Sequence, residues 1–106
     1  MALLSQNEVL ILAALGTSEQ FGREITDEIA RMTDGRYRLS IGGLYTTLHR
    51  MEKKKLVAGR WGEKRAGLPD AQRRYYRVTA EGRRTLLETG RILLSAFKGV
   101  PAANGA

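Results

Sequence analysis

The chain has 106 residues, which suffices for one modest hydrophobic core and excludes a two-domain enzyme. Its 18 lysines and arginines against 11 acidic residues give a net charge of +7, which indicates a polyanionic partner such as nucleic acid or an anionic membrane surface. There is no cysteine and a single histidine, His49, which excludes thiolate and imidazole metal clusters, disulfides and cysteine nucleophiles. We therefore expect no metal and no cofactor.

A membrane or targeting segment is not evident. The longest apolar stretch, Val9 to Leu15, is far shorter than the roughly 20 residues that cross a bilayer, and no basic segment precedes it. We expect a cytoplasmic protein without a membrane partner.

The charge is unevenly distributed along the chain. Residues 1–35 carry two arginines against six acidic residues, whereas residues 36–77 carry 12 of the 18 basic residues against three acidic ones. A basic run is often only a solvated face, but this degree of segregation favours a polyanion-binding surface in the middle of the chain.

Two helices are predicted in the first third of the chain. Ser5 and Glu8 have the spacing of a capping box and precede a broad apolar face, which predicts a helix from Gln6 to Leu15. Apolar residues then recur every three or four positions from Phe21 to Met32, which predicts a second helix ending before the turn dipeptide Asp34-Gly35.

Two connecting segments flank the second helix. Residues 17–20 are interpreted as a linker, and Arg36 to Leu39 alternate polar and apolar residues, which predicts a short strand.

The third helix is predicted from Ile41 to Lys54, with Ser40 as its N-cap and one apolar stripe directed toward the core. Its opposite face is predicted to consist of Gly43, Thr46, Thr47, Arg50, Lys53 and Lys54.

A β-hairpin and a last helix follow. Residues 56–62 and 72–78 alternate as two antiparallel strands joined by a loop over residues 63–71. Tyr76 is the predicted core residue of the hairpin, and Trp61 is interpreted as a packing residue. Thr79 is the predicted N-cap of the last helix, and residues after Gly99 are expected to fray.

This order predicts a mainly α fold with a small β-hairpin: a winged helix-turn-helix plus a C-terminal dimerisation helix. We expect a DNA-binding domain over residues 1–78, the dimerisation helix over 79–98 and a flexible tail over 99–106. The two elements that this fold places on DNA, the third helix and the hairpin, are the two most basic segments of the chain.

The predicted DNA contacts follow from side-chain type. Gly42 and Gly43 let the helix N-terminus approach phosphate, although the same glycines weaken the first turn. Thr46 and Thr47 can contact base edges, and arginine can contact phosphate or guanine. These contacts comprise Ser40, Gly42, Gly43, Thr46, Thr47, Arg50, Lys53, Lys54, Lys64, Arg65, Arg73 and Arg74.

The last helix carries more apolar surface than one small core needs, which favours a partner helix over a face that only covers its own domain. The predicted dimerisation residues are Leu86, Leu87, Gly90, Leu93, Leu94 and Phe97.

The motifs resemble those of PadR-type transcriptional regulators over residues 3–97. The resemblance rests on the run from Ser40 to Tyr45, on Arg73-Arg74-Tyr75-Tyr76-Arg77, and on Trp61 and Gly82. It implies a homodimeric repressor on a pseudo-palindromic operator, a small-molecule effector of unknown identity, and a DNA-backbone contact by Tyr45.

The chain departs from this family pattern at three positions. Ile41 stands where proline is common, Lys55 where glycine is common, and Arg23 where a tyrosine is common. The tyrosine's role therefore cannot be transferred to Arg23.

Two other classes of protein remain as alternatives. A basic RNA-binding or ribosome-associated winged-helix module would carry exposed aromatic residues on a sheet or loop, where the hairpin offers Tyr75 at most. An enzyme is disfavoured, because no serine or carboxylate has an identifiable partner base.

Overall fold

The computed structural model describes residues 3–62 and 73–101. It confirms the predicted mainly α fold with a small β-hairpin. The elements in chain order are α1 (Gln6–Leu15), β1 (Gln20–Phe21), α2 (Gly22–Met32), α3 (Ile41–Lys53), β2 (Val57–Trp61), β3 (Arg74–Val78) and α4 (Ala80–Phe97).

Three helices begin at the capping residues that the sequence predicted. The Ser5 hydroxyl accepts from the Glu8 N–H at 3.2 Å, and the Glu8 carboxylate accepts from the Ser5 N–H at 2.8 Å, which completes the capping box of α1. Ser40 accepts from the third residue of α3 at 3.0 Å, and Thr79 accepts from the third residue of α4 at 2.9 Å. Each cap satisfies an N–H group that the helix itself leaves without a partner.

The three strands form one antiparallel sheet in the order β1-β3-β2. In the hairpin, Val57 pairs with Val78 and Trp61 pairs with Arg74. The predicted loop over residues 63–71 and its turn lie outside the described residues, as do the predicted DNA contacts Lys64 and Arg65.

The predicted strand at residues 36–39 is wrong, because that segment has no regular structure. Tyr37 instead turns toward α1, where its hydroxyl donates to the side-chain oxygen of Asn7, and its backbone N–H donates to the Thr33 hydroxyl at 3.2 Å. The third strand is the two-residue β1, in the segment interpreted as linker and helix start. Phe21 of β1 packs edge-on against Tyr75 of β3, with ring centroids 5.7 Å apart.

The core lies between the first three helices and the inner face of the hairpin. Tyr76 is 4% exposed, as predicted. The other buried apolar residues are Ile11, Leu12, Ala14, Leu15, Ile25, Ile29, Leu44, Leu48, Met51, Leu56 and Val57. A core drawn from all these elements holds α3 firmly against α1 and α2, so the opposite face of α3 is presented as a rigid surface.

Helix α4 packs on this core along one side only. Leu86 contacts the core, and the buried Thr89 hydroxyl accepts from the backbone N–H of Leu4 at 3.4 Å. No helix among the described residues is long and apolar enough to span a membrane.

Candidate nucleic-acid interface

The outward face of α3 is a stripe of four exposed residues, Gly42, Thr46, His49 and Lys53. Their spacing of four, three and four residues is that of one helical face, directly opposite the buried stripe. The Thr46 hydroxyl donates to the Gly42 carbonyl at 3.0 Å, so toward a ligand it can only accept. The stripe combines a hydrogen-bond acceptor, an imidazole and an ammonium group, which are the chemical groups that read base edges and phosphate.

The prediction that Thr47 belongs to this face is wrong. Thr47 is 3% exposed, and its hydroxyl donates to the Gly43 carbonyl at 2.9 Å. One position along a helix rotates a side chain by about 100°, which carries Thr47 from the exposed face toward the core. The Gly43 N–H is also occupied, because it donates to the Ser40 hydroxyl at 3.0 Å. Ser40 and Gly43 therefore build the helix cap: the Gly43 N–H is not available to hold a phosphate, whereas the exposed Ser40 hydroxyl, which only accepts in the cap, can still donate its proton to one.

Tyr45 flanks the stripe on the side of the hairpin and is 41% exposed. Its phenol lies against Gly22, where a Cβ atom would overlap the ring. Glycine at the first position of α2 therefore lets the two helix N-termini approach each other, with the tyrosine between them.

Basic residues flank the stripe on the side of α1. Within residues 3–62 and 73–101, Arg50 and Lys53 form no ion pair, whereas the Lys54 ammonium lies 3.2 Å from the Glu8 carboxylate. The two unpaired cations are free to neutralise phosphate. Lys54 is still 60% exposed, but part of its charge is compensated.

The Glu8 carboxylate is buried between α1 and the end of α3. Burial by itself raises the pKa of this carboxyl, but hydrogen bonds from the Ser5 N–H and from Lys54 outweigh burial. The pKa of Glu8 therefore lies below its ordinary value of 4.5, and the carboxylate is ionised at neutral pH.

The two arginines at the start of β3 have different surroundings. Arg73 is exposed, with its guanidinium carbon 4.3 Å from the centroid of the Phe21 ring. Arg74 turns inward and pairs with Glu52 of α3 at 2.7 Å, and this hydrogen bond raises the pKa of Arg74. Burial raises the pKa of the neighbouring Tyr76. The structure thus separates two residues that the sequence treated as equivalent DNA contacts.

A groove of about 400 Å³ lies between the hairpin and the N-terminal ends of α2 and α3. Arginines and aromatic rings dominate its lining, so the groove suits an anionic partner with flat or apolar parts, such as a sugar-phosphate backbone. The lining residues are Phe21, Arg23, Ile41, Tyr45, Trp61, Arg73, Arg74 and Tyr76.

Three residues of this surface were missed or misread in the sequence. His49 was visible in the helical spacing, since it falls between Thr46 and Lys53 on the outward stripe. Trp61 is 60% exposed, so its interpretation as a packing residue is wrong: it lies on the hairpin beyond the part that the helices cover. Glu52 gave no sequence signal, because its partner Arg74 is distant along the chain.

Comparison with known proteins identifies the same elements in other chains. Residues 11–88 match the model of the transcriptional regulator PadR-like family. A protein of Lysinibacillus sphaericus, known only as an uncharacterized protein, is 30% identical over 79 residues, which are 74% of this chain and 70% of its own.

Solved structures share the fold. A transcriptional regulator from Clostridium thermocellum is similar with a TM-score of 0.75 and 27% identity, covering 86% of this chain and 85% of that chain. Bacillus subtilis PadR in complex with operator DNA is similar in fold, with a TM-score of 0.66 and 18% identity over 76% of this chain and 44% of that chain.

Proposed function

The chain belongs to the PadR-like family of transcriptional regulators, and from this premise we propose that it binds duplex DNA sequence-specifically, as a homodimeric repressor of a pseudo-palindromic operator. The proposal divides the chain into a DNA-binding domain over residues 1–78, a dimerisation helix over 79–98 and a tail over 99–106, of which residues 102–106 lie outside the described structure. A regulator of this kind acts on DNA in the cytoplasm.

The observation that carries the proposal is the exposed stripe on α3. A helix that buries one face completely and exposes Thr46, His49 and Lys53 on the other is shaped to enter a major groove. Arg50 and Lys53 are exposed and form no ion pair within the described residues, so in this proposal they neutralise the phosphates that flank the groove.

Each remaining element of the surface has a separate role in this proposal. Thr46 and His49 read base edges, and the missing side chain at Gly42 allows close approach. Phosphate contacts come from Tyr45, Arg50, Lys53, Lys54 and Arg73, and from Lys64 and Arg65, which lie outside the described residues.

Dimerisation would use the exposed side of α4. Leu87, Leu94 and Phe97 are each 62% exposed, and Gly90 lies between them with open space where a Cβ would stand. Leu86 packs against the core of its own domain, and Leu93 is partly buried. Three large apolar side chains on one stripe are costly to leave in water, and a second copy of α4 would cover them.

Selection from a pool of random duplex DNA tests the proposal. We expect recovered sites with two-fold symmetry and half-sites about 10 base pairs apart, because each protomer of a dimer presents one α3 to a major groove. Recovery of no preferred duplex sequence would contradict sequence-specific binding, and recovery of single, asymmetric half-sites would contradict the dimer. A small-molecule effector remains a prediction from the family, and the same selected site would serve to screen for compounds that release it.

One observation favours the alternative of single-stranded RNA binding. The exposed indole of Trp61 offers a stacking platform on the hairpin, beside the guanidinium of Arg74. A competition experiment separates the two functions: the protein is bound to a fluorescent duplex and titrated with unlabelled nucleic acids. If it is a DNA regulator, only duplex DNA of the selected sequence displaces the fluorescent duplex. If it is an RNA-binding module, single-stranded RNA displaces it at a lower concentration than duplex DNA does.

A further inference from the structure

Arg74 forms the least exposed ion pair within the described residues. Its guanidinium lies 2.7 Å from the Glu52 carboxylate, and both side chains are only 26% exposed. The basic members of the other described ion pairs are between 55% and 74% exposed. A shielded pair of this kind retains more of its electrostatic attraction than one at the surface.

The path of the Arg74 side chain depends on a glycine in the facing strand. A Cβ at Gly59 would lie 2.8 Å from the Arg74 Nη2 atom and 3.0 Å from its Cζ atom. The arginine therefore lies across the backbone of β2 at the one position where no side chain blocks it. Gly59 pairs with Tyr76 and Trp61 pairs with Arg74, which places these residues on the same side of the hairpin.

Two aromatic rings also lie close to the Arg74 guanidinium. Its carbon lies 5.4 Å from the centroid of Trp61 and 5.7 Å from that of Tyr76, within the range of cation-π attraction. Both rings belong to the hairpin, whereas Glu52 belongs to α3. Arg74 thus joins the hairpin to α3, and within residues 3–62 and 73–101 no other ion pair does so.

We propose that Arg74 is a positioning residue: through Glu52 it sets the angle of the hairpin against α3, and it does not contact DNA. The proposal rests on the proposed function, in which α3 and the hairpin grip one DNA duplex together. It replaces the sequence prediction that Arg74 contacts phosphate or a groove. An arginine that binds a carboxylate and two rings would lose those contacts on turning toward phosphate. The neighbouring Arg73 lies over the Phe21 ring and has no carboxylate partner within residues 3–62 and 73–101.

Glu52→Gln is the decisive variant, because the two roles of Arg74 predict opposite results. If Arg74 contacts DNA directly, Glu52→Gln should strengthen binding, because it removes a negative charge near the DNA and frees the Arg74 guanidinium to reach a phosphate. If Arg74 positions the hairpin, the same change loosens the hairpin and weakens binding to the selected duplex, by about tenfold for a coupling of this kind. Stronger or unchanged binding by Glu52→Gln would overturn the proposal.

The salt dependence of binding gives a second, independent distinction. Loss of a direct phosphate contact lowers the slope of log affinity against log salt by about 0.9. We expect Arg74→Ala to weaken binding with the slope unchanged, and Arg73→Ala, the matched control, to lower the slope. We also expect the double variant Glu52→Gln/Arg74→Ala to bind no more weakly than Arg74→Ala alone, since both changes break one link. A lower slope for Arg74→Ala would assign it to phosphate.

The link can also be tested without DNA. Trp61 is the only tryptophan in the chain, so its fluorescence reports on the hairpin alone. We expect Glu52→Gln to lower the fluorescence anisotropy of Trp61 and to speed amide exchange in β2 and β3, with little change in thermal unfolding. If the wild-type protein bound no duplex DNA, the proposed function would be wrong. The anisotropy and exchange measurements would still show whether Arg74 and Glu52 hold the hairpin against α3. Unchanged anisotropy and exchange would refute the link itself.

Discussion

The exposed faces of α3 and α4 contrast sharply, although each helix buries its other side in the same core. The α3 face carries a hydroxyl, an imidazole and cations, and the α4 face carries Leu87, Leu94 and Phe97. A polar face can remain in water until a ligand arrives, whereas a large apolar face favours permanent cover. The contrast teaches that the average composition of a small chain hides two surfaces of different chemistry, for which we propose different partners. Changing each face separately tests this proposal.

The largest effect is expected from a charge on the apolar face. Leu94→Glu should convert the proposed dimer to a monomer, because burying a carboxylate against leucine is costly. Binding to a two-half-site operator should fall by about 100-fold or more, since the second half-site no longer binds as part of the same molecule. Sedimentation velocity and a gel-shift titration measure the two effects.

Ala96→Glu is the matched control for this variant, because it adds the same charge at another exposed position of α4. A dimeric Leu94→Glu protein, or an Ala96→Glu protein that dissociates equally, would show that the apolar stripe is not the interface.

A smaller effect is expected from a charge removed from the polar face. Lys53→Ala should weaken DNA binding severalfold and reduce the salt slope by about 0.9, the value for one phosphate contact. It should leave the dimer intact. Lys98→Ala removes an equal charge at the end of α4 and should change neither the affinity nor the slope. Equal behaviour of the two variants would mean that the basic residues act only through net charge.

The Glu8–Lys54 pair tests how strongly the two regions depend on each other, because α1 packs between α4 and the end of α3. Glu8 has a lowered pKa in the folded protein, so its contribution is present above pH 4.5 and is lost as the pH falls through the folded value. Glu8→Gln keeps the capping-box hydrogen bond but removes the charge that pairs with Lys54 and faces the N-terminus of α1, so it should reduce the free energy of unfolding at neutral pH by up to about 1 kcal/mol.

Thermal unfolding at a series of pH values from 7 downward measures this difference, which should shrink once the pH falls below 4.5 because the carboxylate then becomes protonated. Glu88→Gln, which removes a more exposed partner of Arg91, should have little effect at any pH. A difference for Glu8→Gln that stayed constant as the pH fell below 4.5 would contradict the role of its charge.

The smallest effect concerns the junction between α3 and the hairpin. Lys55 has φ +64°, in the left-handed region, which costs a non-glycine residue about 1 kcal/mol. Lys55→Gly should therefore stabilise the protein by up to about 1 kcal/mol without changing the oligomeric state. Lys98→Gly, at φ −60°, should not stabilise it. Urea unfolding compares the two, and destabilisation by Lys55→Gly would show that the backbone there is unstrained.

Much of the fold and part of the site could be predicted, because the signals are local. The Ser5–Glu8 capping box and the N-caps Ser40 and Thr79 act within three residues of chain, so they mark helix starts in any context. The outward position of Thr46 and Lys53 follows from helical periodicity alone. The same periodicity places Thr47 on the buried face, not on the DNA-facing one. It also places His49, which the sequence indicates as a polar residue at the boundary of the apolar and basic faces, on the outward stripe.

The sequence by itself determined the order of helices and hairpin, the buried faces, and the concentration of cations in the middle of the chain. Only the tertiary structure decided that the third strand is Gln20–Phe21, that Trp61 is exposed, and that Arg74 faces Glu52 while Arg73 faces outward. The physical reason is range: caps and periodicity act between residues three or four apart, whereas strand pairing and the Arg74–Glu52 pair join segments that meet only after the core has formed.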